Sequence, residues 1–215
     1  MNDPAILDSL PAVQRLALAY APSAARGAWL GLLALDTRLA QLVRETSEPM
    51  LGQIRLAWWR ERLQESPADR PRGEPLLALL GQHGAAFSPL VDGWEELLGE
   101  APLPCASIAG FAMGRAEALA GLATTLGHGE SAVETARLGR SWALADLALN
   151  LSHPEEREHA VTLLQADEPQ PGRLPRALRP LVVLHGLAFR ALRRDGSDEG
   201  VRGFLAAMRL GILGG

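Results

Sequence analysis

The stretch from Glu134 to Glu156, ETARLGRSWALADLALNLSHPEE, carries polar side chains at a spacing that suits a metal site. Asp146 and Asn150 are four residues apart, so on a helix they share one face. Mg²⁺ prefers oxygen ligands in near-octahedral geometry, usually carboxylates, waters and phosphate oxygens. An active site of this type would hold a second carboxylate where Asn150 stands. These residues are therefore either half of a working metal site or the remnant of one.

A second candidate for metal chemistry is Asp36, in the stretch LALDTRLAQ. The residues three and four positions on are Leu39 and Ala40, so no acid shares the helix face of Asp36 within one turn. Each of the two stretches thus keeps one well-placed aspartate and no cluster. Two carboxylates cannot readily organise several Mg²⁺ ions, because most ligands would then have to be water. The spacing therefore argues against a cluster of Mg²⁺ ions held by these two aspartates.

The stretch EPMLGQIRLAWWRERL supplies a third set of candidate residues. Trp58 and Trp59 are neighbours, which differ by about 100° around a helix, so they cannot share one face. We expect one ring to enter the core and the other to cover a neighbouring helix. Arg55, Arg60 and Arg62 surround them. Two interpretations stay open for these arginines: ordinary solvated side chains, or a set that faces an anionic group.

The elements that must position these residues are helices. The chain is rich in Ala, Leu, Arg and Glu, it has only 5% aromatic residues, and no apolar–polar alternation of the strand type occurs. We predict one all-α domain over residues 1–215, with Ser23 and Ser47 as helix caps. The predicted helices cover about 11–20, 23–45, one with Pro49 in its first turn that reaches about 64, 75–81, 89–98, 104–126, 131–151, one that starts at 152/153, 176–194 and 198–210.

Composition excludes several classes of protein. A net charge of −4 and a pI near 5.8 argue against general binding of nucleic acid. Cys105 is the only cysteine, so no internal disulfide forms and a reducing cytosol fits. The N-terminus lacks the features of a signal peptide, and no uncharged apolar run reaches the roughly 18 residues of a membrane span. We therefore expect a cytoplasmic protein.

The region from Arg173 to Arg194 is basic in a protein that is acidic overall. It contains six arginines and no acid. Arg190, Arg193 and Arg194 would lie at the end of a helix, where positive charge favours the helix dipole. The alternative is a basic surface for anionic lipid or an acidic partner, which would make the protein peripheral at a membrane.

Three stretches of the chain resemble the squalene/phytoene synthase family. The most specific is LGLLALDTRLAQLVRETSEPMLGQIRLAWWRERL, Leu30 to Leu63, in which an aspartate-bearing helix precedes a double-Trp helix. SIAGFAMGRAEALAGLATTLG resembles the small-residue helix of that family, and LGRSWALADLALNLSH resembles the helix of its second Asp-rich motif. The similarity spans about Ser9 to Ser152, with a weaker echo in LPRALRPLVVLHGLAFRAL.

This resemblance implies an isoprenoid-synthase fold, a bundle of antiparallel helices around a deep apolar cavity. Active members join two isoprenoid diphosphates head to head, with Mg²⁺ held by two Asp-rich motifs on opposite helices. Metal ions neutralise the charge that develops on the leaving diphosphate. The residues of this chain that the resemblance implies for ligand binding are Asp36, Arg55, Trp58, Trp59, Asp146 and Asn150.

The chain departs from the family at its acidic motifs. When the second motif is aligned from Gly139, Asn150 falls where the family has the first Asp, and His153 and Pro154 fall where further acids stand. Asp146 falls where relatives usually carry Asn. Lost Asp motifs are also a mark of the mitochondrial complex I assembly factors of this superfamily, which look like non-catalytic descendants. The chain resembles them at least as well as it resembles the true synthases.

These features predict a non-catalytic protein that binds an isoprenoid or lipid, or that acts with a protein partner as an assembly factor does. No cofactor is expected, and Asp36, Asp146 and Asn150 are expected to be vestigial. The alternative is a divergent Mg²⁺-dependent prenyltransferase that acts on isoprenoid diphosphates. The two hypotheses differ in the number of acids that converge on the cavity.

Overall fold

The structure is a computed structural model that describes residues 4–46, 48–166 and 173–195. Every regular element within these ranges is a helix, and none is a strand, which confirms the all-α prediction for that part of the chain. Three short 3₁₀ helices, Gly81–Phe87, Gly129–Ser131 and Arg176–Leu178, join the longer elements. The α-helices are α1 (Pro4–Ser9), α2 (Ala12–Ala19), α3 (Ser23–Glu45), α4 (Pro49–Gln64), α5 (Pro75–Leu80), α6 (Ser88–Glu95), α7 (Cys105–Thr125), α8 (Ala132–Asn150), α9 (Pro154–Ala166) and α10 (Arg179–Asp195).

Most helix boundaries fall within a few residues of their predicted positions. Helix α1 was not predicted, and the helix predicted over 198–210 lies outside the described residues. Ser23 does not cap α3, because Pro22 holds the N-cap position and Ser23 is already helical. Ser47 also lies outside the described residues, and Glu48 holds the N-cap position of α4. Proline at the first helical position is favoured because its missing N–H would have no partner there.

The buried side chains form one continuous cluster to which the helices from α2 to α10 contribute. Helix α7 is central to it, packing against α6, α8 and α9. Glycine allows its close approach to α6: a Cβ atom on Gly114 would lie 2.4 Å from the carbonyl oxygen of Pro89 and 2.7 Å from the Cα of Gly93. The prediction of a single domain over residues 1–215 stays a prediction.

The connection between α4 and α5 is fixed by one buried side chain, Arg70. Its guanidinium donates to the carbonyl oxygens of Leu63 (2.9 Å), Glu65 (3.2 Å), Leu77 (3.3 Å) and Gly81 (2.6 Å). These carbonyls lie at the ends of α4 and α5, where the last turn of a helix leaves its acceptors without intrahelical partners. Arg70 therefore satisfies both helix ends at once.

None of the helices in the described ranges combines the length and the apolar sequence needed to cross a membrane.

Candidate functional site

A cavity of about 660 Å³ lies between α2, α3, α6, α7, α8 and α10. Its wall is mainly apolar, with leucines and alanines from α8 and α10 and aromatic rings from α6, α7 and α8. Gln14 and Thr37 border it, joined by a hydrogen bond of 3.1 Å from the threonine hydroxyl to the amide oxygen. Three charged side chains of the wall come from three different helices and meet at one place, while a fourth, Arg44 of α3, hydrogen-bonds to the main-chain oxygen of Ala40.

Arg115 of α7 stands between the two aspartates that the sequence singled out. Its Nη2 lies 2.7 Å from Oδ2 of Asp36 on α3, and its Nε lies 3.4 Å from Oδ1 of the same carboxylate. Its Nη1 lies 2.8 Å from Oδ2 of Asp146 on α8. Asp36 and Arg115 are buried, whereas the Asp146 side chain is partly exposed. The three helices are therefore tied together by one guanidinium.

Aromatic rings enclose this ion pair. The guanidinium carbon of Arg115 lies 4.4 Å from the ring centroid of Trp142, 4.8 Å from that of Phe111 and 5.8 Å from that of Trp94, within the range of cation–π attraction. The indole Nε1 of Trp94 also donates to Oδ1 of Asp36 at 2.8 Å. Both oxygens of the Asp36 carboxylate are thus engaged by neighbouring donors.

Burial and charge act against each other at this cluster. Burial raises the pKa of the Asp36 carboxyl, while the charge of Arg115 and the N–H of Trp94 oppose that rise. For Arg115, burial alone would lower the pKa, but the carboxylates of Asp36 and Asp146 outweigh it and the pKa is raised. Arg115 therefore keeps its positive charge inside the protein.

The cluster leaves little for a metal ion to bind. Asp36 is already paired, and Asn150 donates its side-chain amide to the main-chain oxygen of Asp146 at 2.7 Å. No group of three or more potential metal-ligating side chains occurs within residues 4–46, 48–166 and 173–195. A positive charge is already present where a cation between the two aspartates would stand, and Arg115 supplies it.

The other predicted site residues lie elsewhere. Arg55, Trp58 and Trp59 line a second pocket of about 410 Å³ between α3 and α4, which Asp36 and Asp146 do not reach. Trp59 is buried, as expected for one of the two rings, whereas Trp58 is exposed; the rings lie edge to face at 5.2 Å. The six residues therefore divide into two places: Asp36, Asp146 and Asn150 at the large cavity, and the double-Trp set at the small one.

The arginines around the double Trp do not converge on a single anionic site. Arg60 pairs with Asp92 at 2.7 Å and with Glu95. Arg62 of α4 pairs with Glu65, the residue that directly follows this helix, at 2.7 Å. Arg55 is exposed and lines the small pocket. The positive charges of Arg60 and Arg62 are therefore compensated by acidic side chains of the protein itself.

Sequence reasoning missed Arg115, the residue that organises the site, together with Trp94. A usable signal was present. Arg115 follows the run CASIAGFAMG, in which no residue is charged, on a long and largely apolar helix. Charged side chains in such a setting are rarely buried without a partner, so a lone arginine there indicates an internal ion pair.

Neither a family model, nor a curated protein, nor a solved structure matches this chain. What the site can bind is therefore inferred from its geometry. That geometry offers an apolar cavity with one internal ion-pair cluster. Such a cavity can bind a mostly apolar molecule.

Proposed function

We propose that this chain is a squalene/phytoene synthase-like protein that binds an isoprenoid or another long-chain lipid and does not catalyse prenyl transfer. Under this proposal its helices form the antiparallel bundle of the isoprenoid-synthase type. The observation that carries the proposal is the Arg115 guanidinium between Asp36 and Asp146. A protein that compensates its two aspartates with its own cation has little need of Mg²⁺ at that place.

The energetics of the ion pair support this loss of metal chemistry. If Asp36 turned to bind Mg²⁺, it would leave the buried guanidinium of Arg115 with only Asp146 as a charged partner. Breaking a buried ion pair typically costs about 3–5 kcal/mol. The free energy of Mg²⁺ binding would have to offset that cost, although most of the Mg²⁺ ligands would be water molecules. The diphosphate group of an isoprenoid substrate would then lack the positive charge that stabilises it as it leaves.

The size and the lining of the cavity favour an apolar ligand. Its volume of about 660 Å³ lies within the usual range of roughly 300–1,000 Å³ for small-molecule pockets. Leu147, Leu184 and Leu187 are among the apolar side chains of its wall. The polar cluster at one side would sit beside the head of a lipid whose tail lies against the leucines.

A role in assembly with a protein partner draws support from α4. Met50, Leu51, Ile54 and Trp58 are exposed on this helix. Contiguous exposed apolar side chains often mark protein–protein contacts. This feature suits an assembly-factor-like protein.

The alternative function, a divergent Mg²⁺-dependent prenyltransferase, is favoured by one observation. Asp36 and Asp146 project from different helices toward the same cavity, and Asp146 is partly exposed. In the family that the chain resembles, two acidic motifs face each other in this way. Catalysis would require Arg115 to release at least one of the two carboxylates.

Incubation with isoprenyl diphosphates, with and without Mg²⁺, separates the two functions. We expect negligible pyrophosphate release and no Mg²⁺-dependent thermal stabilisation, while an isoprenoid alcohol such as farnesol raises the melting temperature. Robust pyrophosphate release that is abolished by Asp36→Ala or Asp146→Ala would establish the transferase instead. Absence of stabilisation by farnesol and by longer isoprenoids would contradict lipid binding.

A further inference from the structure

One surface of the molecule concentrates positive charge. The region from Arg173 to Arg194 carries exposed arginines and no acid, although the whole chain has a net charge of −4. None of these arginines forms a salt bridge with another residue in the part of the chain that the structure describes. The six are Arg173, Arg176, Arg179, Arg190, Arg193 and Arg194.

The positive charge of α10 reaches the edge of the large cavity. Leu187 and Ala191 line that cavity. Arg190 lies three positions after Leu187, and Arg194 has the same spacing from Ala191. Residues three and four apart are neighbours on a helix surface, so these two arginines lie beside the cavity-lining side chains. We call Arg190, Arg193 and Arg194 the basic row.

An apolar row lies on α2, the helix that neighbours α10. Helix α2 packs against α10, and its residue Val13 both lines the cavity and is half exposed. Leu16 and Tyr20 follow at spacings of three and seven and are also half exposed. These spacings put Val13 and Leu16 on one face of α2, and Tyr20, the C-cap residue, continues that face. The apolar lining of the cavity therefore continues outward onto the surface as the apolar row of Val13, Leu16 and Tyr20.

Apolar and cationic side chains side by side match the chemistry of an anionic bilayer. Arginine guanidinium groups bind lipid phosphates, while leucine and tyrosine side chains enter the boundary between head groups and acyl chains. An acidic protein would satisfy the basic row, but it would leave the apolar row and the cavity opening without a matching partner. The combination of the two rows favours lipid.

We propose that the cavity opening docks on an anionic lipid bilayer through the basic row of α10 and the apolar row of α2. The opening then faces the membrane, and a lipid passes between bilayer and cavity without exposing its chain to water. The lipid-transfer part of this inference rests on the proposed lipid-binding function, whereas the docking itself does not require it.

Flotation with vesicles tests the docking. We expect binding to vesicles of phosphatidylcholine with about 30% phosphatidylserine, no binding to pure phosphatidylcholine, and weaker binding as salt rises. The double variant Arg190→Gln/Arg194→Gln should bind about 25-fold more weakly, since each charge near the surface contributes roughly fivefold. The matched control Arg62→Gln/Arg72→Gln removes the same charge from α4 and the connection after it, and should bind as the native chain does.

One further double variant and one competing partner complete the test. Leu16→Ser/Tyr20→Ser should weaken vesicle binding while the far-UV circular dichroism stays unchanged. Equal binding to neutral and anionic vesicles, or equal losses in the two arginine variants, would overturn the docking. Binding to polyglutamate but not to vesicles would overturn it too and would assign the basic row to an acidic protein.

A parallel measurement of farnesol binding in the absence of vesicles keeps the two proposals apart. Farnesol binding without vesicle binding would overturn the docking and leave the proposed function standing. Vesicle binding without farnesol binding would support the docking and count against the proposed ligand.

Discussion

Arg115 is the residue on which the site depends. Its charge is tolerated inside the protein because Asp36, Asp146 and three aromatic rings surround it. Burying any one of these charged groups alone is unfavourable, because a lone buried charge loses its hydration without compensation. Burial is tolerated when the oppositely charged partners are buried together. The effects of substituting the members of this cluster on the free energy of unfolding should therefore be strongly non-additive.

Substitution of Arg115 tests that coupling. Arg115→Met leaves the Asp36 carboxylate buried without a cation, so we expect the free energy of unfolding to fall by about 3–5 kcal/mol. Addition of Asp36→Asn should recover part of the loss, because the charge is removed while the hydrogen bond from Trp94 can remain. Urea denaturation of both single variants and the double variant gives the coupling energy.

The exposed Arg55 provides the control for this cycle. Arg55→Met should change the free energy of unfolding by no more than about 0.5 kcal/mol. The coupled-cluster interpretation fails if the effects of Arg115→Met and Asp36→Asn are additive, or if Arg115→Met is as mild as the control.

At the scale of elements, α6 and α7 approach each other so closely that glycine is required at their contact. Gly114 of α7 meets the backbone of α6 at distances that exclude a Cβ atom. Backbone atoms cannot rotate away as a flexible side chain can. Any side chain at this position must separate α6 from α7 and so displace Trp94 and Phe111, which pack edge to face at 4.8 Å beside Arg115.

A pair of glycine substitutions measures this constraint. Gly114→Ala should destabilise the protein by about 1–3 kcal/mol or more, because the added methyl overpacks the α6–α7 contact. Gly27→Ala on α3, where no atom lies within 4 Å of the added Cβ, should instead be neutral or stabilise by up to about 1 kcal/mol. Thermal unfolding of the two variants shows the difference, and equal shifts would refute the close-packing argument.

Helix boundaries could be predicted from the sequence because their signals are local. Pro49, Pro75 and Pro154 each begin a helix, and the start and end of α3 agree with the predicted range. The partner of Asp36 could not be found in this way. Arg115 is 79 positions away, and a search limited to one helix face considers only residues within a turn. Long-range pairing required the packing of α3 against α7.

At the scale of the whole molecule, folding stability should depend on pH through His185. Its Nε2 lies 3.2 Å from Oγ of Ser141, which joins α10 to α8, and its ring packs against Phe189 with centroids 4.3 Å apart. Burial, together with the charge of Arg137, lowers the pKa of His185 to about 4 from its usual 6.5. The folded state therefore favours the neutral imidazole.

This shift gives a defined pH window. The stabilising contribution of neutral His185 is fully present above pH 6.5 and is lost as the pH falls from about 6.5 to about 4. The total is about 3 kcal/mol, since each pKa unit corresponds to about 1.4 kcal/mol. Urea denaturation between pH 8 and pH 4.5 measures most of it, since the lowest pH stays just above the folded-state pKa of about 4.

Two histidine variants isolate the effect. His185→Gln should reduce the fall in stability between pH 6.5 and pH 4.5 relative to the native protein. His83→Gln, which changes an exposed histidine, should leave the native slope intact. If the native protein and the His185 variant lose stability in parallel over this range, His185 is not the titrating group.

The four carbonyl oxygens held by Arg70 have a mechanical consequence for the smaller pocket. Because one guanidinium binds the ends of both α4 and α5, the connection between them cannot act as a hinge without breaking several hydrogen bonds together. Helix α4 and the segment bearing Glu74 therefore move as one rigid body. The wall of the small pocket that Trp58, Trp59 and Glu74 form therefore keeps a fixed shape, so a ligand that touches this wall is selected by how well it fits that shape.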